Sequence, residues 1–204
     1  MWQIAKINLR HNFPASFALA VLLLMLTPVL FGTANLDSQA TAVPLEGFVS
    51  LAGIILLTPV FQPEQNPQVE EVVTSKYISN SIIHTIRITC SIFALLLLIS
   101  IFAFYMSLNG CKVTLPLLLG TIASSVFLGS LGMLAAGITN NTAVSYMVPV
   151  VYYSLNFAGG SGFGNFYLFS MMHGEYGQKV WLFASGTGMI LLSVFVKRLI
   201  VKSR

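Results

Sequence analysis

The run FPASFALAVLLLMLTPVLF, from Phe13 to Phe31, decides the class of this protein. It contains no charged side chain, and its most polar members are Ser16 and Thr27. A helix needs about 20 mostly apolar residues to cross the hydrocarbon core of a bilayer. The run therefore predicts a membrane-spanning helix. It is longer than the roughly 7–15 residues of a signal-peptide core, so we expect it to be retained.

Comparable apolar runs recur along the rest of the chain. They cover 44–61, 83–108, 113–138, 143–158 and 180–196. Each has a length that suits a membrane-crossing or closely buried helix. We therefore expect an all-α, polytopic membrane protein whose 204 residues form a single transmembrane domain with six spans.

Composition agrees with a membrane protein and argues against a nucleic-acid partner. The chain is 56% hydrophobic and 8% charged, with a net charge of +4 and a mean hydropathy of +0.84. Soluble domains carry about 25% charged residues. A nucleic-acid-binding protein needs a clustered basic face, whereas the lysines and arginines here are scattered between apolar runs.

The lysines and arginines predict the orientation, because cytoplasmic loops are enriched in them. If the chain starts in the cytoplasm, the outer segments hold only Lys112 and Lys179. The inner segments then hold Lys6, Arg10, Lys76, Arg87, Lys197, Arg198, Lys202 and Arg204. We expect a multi-pass protein of the cell membrane with both termini in the cytoplasm.

A glycine-rich stretch separates the fifth and sixth runs. Residues 159–165 read GGSGFGN, and the apolar piece that follows is too short to cross a bilayer. A phosphate-binding loop would need Lys followed by Ser or Thr after its glycines, and Asn165-Phe166 stands there instead. We expect 159–176 to form a re-entrant hairpin at the outer surface, which needs protein or water around its backbone.

The only long polar segment between two runs extends from Gln62 to Ser81. Asn66-Pro67 is typical of a helix start, and Glu70 and Glu71 fall in the opening turns, where the helix dipole favours acids. An apolar stripe recurs at helical spacing on Val69, Val72, Val73 and Tyr77. The pattern predicts an amphipathic cytoplasmic helix over about 64–78, either a docking surface or a linker that rests on lipid headgroups.

The order of these parts resembles the permease subunit of ABC-2-type ABC transporters in bacteria. The parts are an amphipathic start, two spans, a cytoplasmic helix with paired glutamates, three spans, a broken hairpin and a last span with a basic tail. The resemblance implies a partner subunit that binds ATP and Mg²⁺, a second permease copy or paralogue, and no cofactor or metal in this chain. It implies that the partner docks on Glu64, Glu70, Glu71, Thr74, Ser75, Lys76 and Tyr77.

The fifth run carries a polar face that could line a transport path. Tyr146, Pro149, Tyr153 and Asn156 follow helical spacing and share one side. Ordinary hydrogen bonding between helices accounts for them equally well. Asp37, Glu46 and Glu175 are expected near the outer surface, which would leave no ionisable group deep in a span and disfavour ion transport. A hydrophobic or amphipathic cargo, such as a peptide, an antibiotic or a lipid-like molecule, fits the implied export function.

Two other functions stay open. An intramembrane protease of the CAAX-processing kind would use a Glu-Glu-x-x-x-Arg motif and a Phe-x-x-x-His motif. Phe169 to His173 fits the second, but Ser75 stands where the first needs arginine. His84 and His173 lack the spacing of a zinc site. A membrane assembly or immunity protein is the other alternative, and we expect no catalysis in the chain.

Overall fold

The computed structural model of the protein describes residues 13–65 and 80–203. Seven α-helices lie within these residues, and we number them α1 to α7. Their bounds are Phe13–Phe31, Ser38–Gly47, Ala52–Leu57, Asn80–Leu108, Leu115–Thr139, Thr142–Gly159 and Gly177–Ser203. Short 3₁₀ helices cover Val49–Leu51, Thr58–Gln65, Gly160–Phe166 and Ser170–His173. The described part of the chain contains no strand, so the all-α prediction is confirmed there.

Five helical stretches are long and apolar enough to cross a membrane. They are Pro14–Phe31, Ser38–Gln62, His84–Leu108, Leu115–Thr139 and Gly177–Leu199. A multi-pass helical membrane protein is therefore confirmed at this level. The fifth predicted span does form a helix, α6, but it is not among the five. Its tyrosines, serines and asparagine lower its hydropathy, so the count of six stays a prediction.

The helical stretch that contains the second predicted span begins before that span. The predicted start at Pro44 lies inside α2, which begins at Ser38. The carboxylate of Asp37 accepts a hydrogen bond from the N–H of Ala40 at 2.8 Å and so caps the first turn. The chain then continues through Val49–Leu51, α3 and Thr58–Gln65, so the span is a succession of short helices.

The first and second spans run in opposite directions, as do the third and fourth. The N–H of Asn35 donates to the carbonyl of Asn109, and that of Lys112 donates to Leu36, each at 3.0 Å. These bonds join the end of α1 to the loop between α4 and α5. The segment 160–176, between α6 and α7, lies at this same end, which we call the hairpin end.

At the opposite end, the start of α4 meets the end of the second span, and the end of α7 meets the turn between α5 and α6. A guanidinium nitrogen of Arg87 donates to the Val60 carbonyl at 3.4 Å. The ammonium of Lys197 donates to the Asn140 side chain at 3.0 Å. Asn140 has a φ of 50° and ends α5 in the left-handed region that Asn tolerates.

Helix α5 is the centre of the bundle, and its glycines allow other helices to approach closely. Within its membrane-spanning stretch 72% of the residues are buried in the bundle, whereas in that of α1 only 17% are buried. A side chain on Gly53 of α3 would overlap the backbone carbonyl of Ser125. One on Gly129 would come within 2.5 Å of the Gly53 carbonyl oxygen. Small residues at such contacts allow membrane helices to pack closely against one another.

We predict that Gly53→Ala destabilises the protein, whereas Gly188→Ala does not. The new methyl group at 53 meets backbone that cannot move aside, and overpacking typically costs about 1–3 kcal/mol. A methyl group at 188, within α7, meets nothing within 4 Å, and alanine favours helix over glycine by about 1 kcal/mol. Thermal unfolding of both variants in maltoside micelles measures the difference. Equal melting temperatures would contradict the α3–α5 contact.

Candidate functional site

The structure buries an ion pair between α2 and α7 at the hairpin end. The ammonium nitrogen of Lys179 lies 2.5 Å from a carboxylate oxygen of Glu46. Glu46 is 1% exposed and Lys179 is 5% exposed. Both lie inside stretches that are apolar enough to span a membrane. Each lies in the part of its stretch that is nearer the hairpin end, so the expectation that no ionisable group lies deep in a span stays a prediction. The structure adds that these two side chains are buried and paired.

The carboxylate of Glu46 also binds the hairpin backbone. One oxygen accepts a hydrogen bond from the N–H of Met171 at 3.0 Å, and the other accepts from Met172 at 3.1 Å. These two amides belong to the 3₁₀ helix Ser170–His173, whose first N–H groups have no partner within the helix itself. Glu46 thus satisfies donors that would otherwise be buried without acceptors.

The ammonium of Lys179 has three acceptors for its three hydrogens. Besides Glu46, it donates to the Ser124 hydroxyl of α5 at 2.8 Å and to the Leu168 carbonyl at 2.5 Å. Gly120 leaves room for the lysine stem, because a side-chain carbon there would lie 3.2 Å from Cγ of Lys179. A lysine carries three donors, so the buried charge is fully hydrogen-bonded.

The energetic consequence of this arrangement is asymmetric. Removing two charges from water costs several kcal/mol per ion, and the pair repays that cost only with good geometry and full hydrogen bonding. Both conditions hold for Glu46 and Lys179. Removing one partner would leave the other buried without its counter-charge, which typically costs about 3–5 kcal/mol.

Helix α6 binds the other side of the hairpin. The amide oxygen of Asn156 accepts from the N–H of Leu168 at 2.8 Å, and its nitrogen donates to the Phe166 carbonyl at 3.4 Å. The Tyr152 hydroxyl donates to the same carbonyl at 2.6 Å. Side chains from α2, α6 and α7 therefore hold the hairpin backbone between Phe166 and Met172.

The four residues proposed to line a path all lie on α6. Asn156 is buried against the hairpin, and the Tyr153 hydroxyl donates to the carbonyl of Gly47. Pro149 is buried inside the helix, and Tyr146 is partly buried against the cluster around Phe127. In this conformation Tyr153 and Asn156 take part in hydrogen bonds between segments, which is the alternative that the sequence left open. Their role in transport stays a prediction.

The predicted docking residues fall mostly outside the described part of the chain. The backbone of Glu64 belongs to the 3₁₀ helix Thr58–Gln65, and Glu70, Glu71, Thr74, Ser75, Lys76 and Tyr77 lie outside the described residues. The chain reaches Gln65 and resumes at Asn80, and both positions belong to the end opposite the hairpin. The described residues on either side of the paired glutamates therefore lie at that end.

Within residues 13–65 and 80–203, no three His, Cys, Asp or Glu side chains group as a metal site would require. His84 is buried, with its ring edge-on to that of Phe61. His173 is exposed at the hairpin end, where its ring stacks on Tyr167. The two histidines therefore belong to opposite ends of the bundle.

Sequence reasoning missed the ion pair, although part of the signal was visible. Glu46 and Lys179 were both assigned to the outer end, and they carry opposite charges. Two opposite charges at one end of two apolar runs indicate a pair more readily than two separate surface positions, because unpaired charges in a span are costly. Ser124 and the backbone partners could not have been inferred, since they depend on how the hairpin folds.

Comparison of the chain with protein-family models, with curated proteins and with solved structures finds no significant match.

We predict that Glu46→Gln and Lys179→Met each lower the melting temperature clearly, and that Glu46→Gln combined with Lys179→Met costs less than the two single changes added together, because glutamine keeps an acceptor for the hairpin amides. Each single change strands one buried charge or its hydrogen-bonding partners, whereas the double change removes both charges together. Lys112→Met, which alters an exposed lysine at the same end, is the matched control. Additive effects of the two single changes in thermal unfolding would show that the side chains do not interact.

Proposed function

We propose that this chain is the membrane subunit of an ATP-driven exporter. In this proposal it crosses the membrane six times, pairs with a second copy or a paralogue, and is powered by a separate ABC-type ATPase. The order of its parts resembles that of ABC-2-type permeases. The cargo would be hydrophobic or amphipathic, because the face of α6 that we assign to the path carries hydroxyl and amide groups and no charge.

The observation that carries the proposal is the buried Glu46–Lys179 pair, with the hairpin bound to it. Ionisable residues inside membrane spans are costly and mark functional regions by default. The pair lies between two apolar spans and fixes a backbone segment that is not a regular α-helix. Irregular backbone at membrane depth needs protein or water around it, which favours a re-entrant hairpin beside a translocation path.

Helix α6 supports the sixth crossing. It starts beside Asn140 at the end opposite the hairpin and reaches the hairpin through Asn156. Its 18 residues extend about 27 Å at 1.5 Å per residue, close to the roughly 30 Å of a bilayer core. A polar helix in that position is favoured where its polar face meets other protein segments instead of lipid.

The protease alternative fits the geometry less well. Its two motifs would have to meet at one site, but His173 belongs to the hairpin end, while the described residues that flank Glu70 and Glu71, up to Gln65 and from Asn80, lie at the opposite end. Helix α5, which runs between the two ends with 25 residues, is about 37 Å long. That separation favours transport over catalysis.

The central test concerns the loop that holds the paired glutamates. We predict that Glu70→Lys combined with Glu71→Lys abolishes capture of an ABC-type ATPase encoded beside this chain, while membrane insertion is unchanged. Losing a desolvated charge contact costs roughly 2–5 kcal/mol, which corresponds to a loss of affinity of about thirty-fold or more. A pull-down from detergent-solubilised membranes measures it.

Lys112→Glu is the matched control, because it also reverses a charge but lies at the hairpin end. The control should keep the ATPase bound. If the double variant binds the ATPase as well as the parent chain does, the segment is a linker on the lipid surface, where an exposed charge contributes only about 0–1 kcal/mol. If neither chain binds an ATPase, an assembly or immunity role becomes the better explanation.

A further inference from the structure

A pocket opens where the hairpin meets the start of α7. Its volume is about 460 Å³. It lies beside the ion pair and does not include Glu46 or Lys179. Six residues line it: Asn165, Glu175, Tyr176, Gly177, Gln178 and Trp181.

The Gln178 side chain presents an acceptor that has no partner. Its amide nitrogen donates to a carboxylate oxygen of Glu175 at 2.6 Å. An ionised carboxylate can only accept, so this contact fixes which end of the amide is the nitrogen. The amide oxygen is then buried and has no hydrogen-bond partner among the described residues. Burying an acceptor without a partner is costly, and because the oxygen carries partial negative charge, a cation in the pocket would stabilise it through its electric field without a hydrogen bond.

The charge on the pocket is negative. Glu175 is the one residue with a formal charge among the six that line it, and its side chain is exposed. The start of α7 would by itself favour an anion, through the helix dipole. The Glu175 carboxylate, two residues before that start, opposes this preference. The nearby ammonium of Lys179 is bound to Glu46 and so adds little positive field.

Aromatic side chains complete the lining. Trp181 is 58% exposed and lies three residues after Gln178, on the same face of α7. Tyr176 adds a second ring. An indole face attracts cations more strongly than any other side-chain ring, and quaternary ammonium groups are typical ligands of such aromatic sites. A carboxylate, an amide oxygen without a donor and an indole together match a cation that carries apolar substituents or N–H groups.

We propose that this pocket binds an ammonium group. The group is either the headgroup of a choline lipid at the bilayer surface or the amine of a free amphipathic molecule. The inference rests on the hairpin and α7 alone, and it holds whether or not the protein is a transporter.

The chain allows a direct optical test, because Trp181 is one of only two tryptophans. In a Trp2→Phe background, the fluorescence of the protein reports on the pocket. We expect tetramethylammonium chloride, titrated into protein in maltoside micelles, to change the emission saturably. Sodium chloride at the same ionic strength should not. A change that is equal for the two salts would overturn the proposal.

Substitutions of residues that line the pocket test whether the emission change arises there. Glu175→Gln should weaken the binding of tetramethylammonium by about fivefold or more, which corresponds to about 1 kcal/mol. Gln178→Glu should strengthen it, because it adds a carboxylate where the unpartnered oxygen lies. Asp37→Asn is the control: it removes another exposed carboxylate at the hairpin end, and asparagine caps a helix as well as aspartate does. Identical affinities in all three variants would contradict the site.

Nanodiscs of different lipid composition distinguish a lipid headgroup from a free amine as the ligand. If the ligand is a lipid headgroup, discs with phosphatidylcholine should show the emission change without added ligand, and tetramethylammonium should then have no further effect. If it is a free amine, discs of phosphatidylglycerol and of phosphatidylcholine should respond alike to tetramethylammonium. Absence of any response in both kinds of disc would exclude the proposal. Matching melting temperatures of the Glu175 and Gln178 variants would show that the fold is intact.

Discussion

The buried contact between Glu46 and Lys179 is the interaction on which the hairpin end depends. A backbone inside a membrane protein must have its polar groups satisfied internally, because lipid offers no partners. Regular helices do this alone, but the segment 160–173 does not. The ion pair supplies both a buried acceptor, for the Met171 and Met172 amides, and a buried donor, for the Leu168 carbonyl. Without it, these backbone groups would lose the partners that lipid cannot replace.

The ion pair in turn requires close helix packing. Lys179 reaches Ser124 because Gly120 leaves its stem room beside α5. The same helix receives α3 through Gly53 and Gly129. Small residues on α5 therefore do two things: they let helices approach, as membrane bundles require in the absence of a strong hydrophobic driving force, and they admit a long charged side chain to the interior.

Hydropathy along the sequence predicted most of the membrane-spanning helices, because a bilayer requires each span to have a minimum length and an apolar composition. The first span, Phe13–Phe31, has the same bounds in the structure. The helical stretch that contains the second predicted span begins six residues before it, at Ser38, because the Asp37 cap is a local hydrogen bond that hydropathy does not report. The Glu46–Lys179 pair joins residues far apart in the chain, so its geometry required the folded structure.

The two ends of the bundle differ in how their charges are satisfied. All three acidic side chains that the structure describes, Asp37, Glu46 and Glu175, belong to the hairpin end. At the opposite end, Arg87 and Lys197 are buried against the uncharged oxygens of Val60 and Asn140. Among the side chains that the structure describes, the carboxylates thus all lie at the hairpin end. Cytoplasmic ends of membrane proteins carry the excess of basic residues, and the proposal that the hairpin end faces outward rests on this rule. In the proposed orientation, Glu70 and Glu71 would face the compartment that contains ATP, as the proposed partnership with a separate ATPase requires.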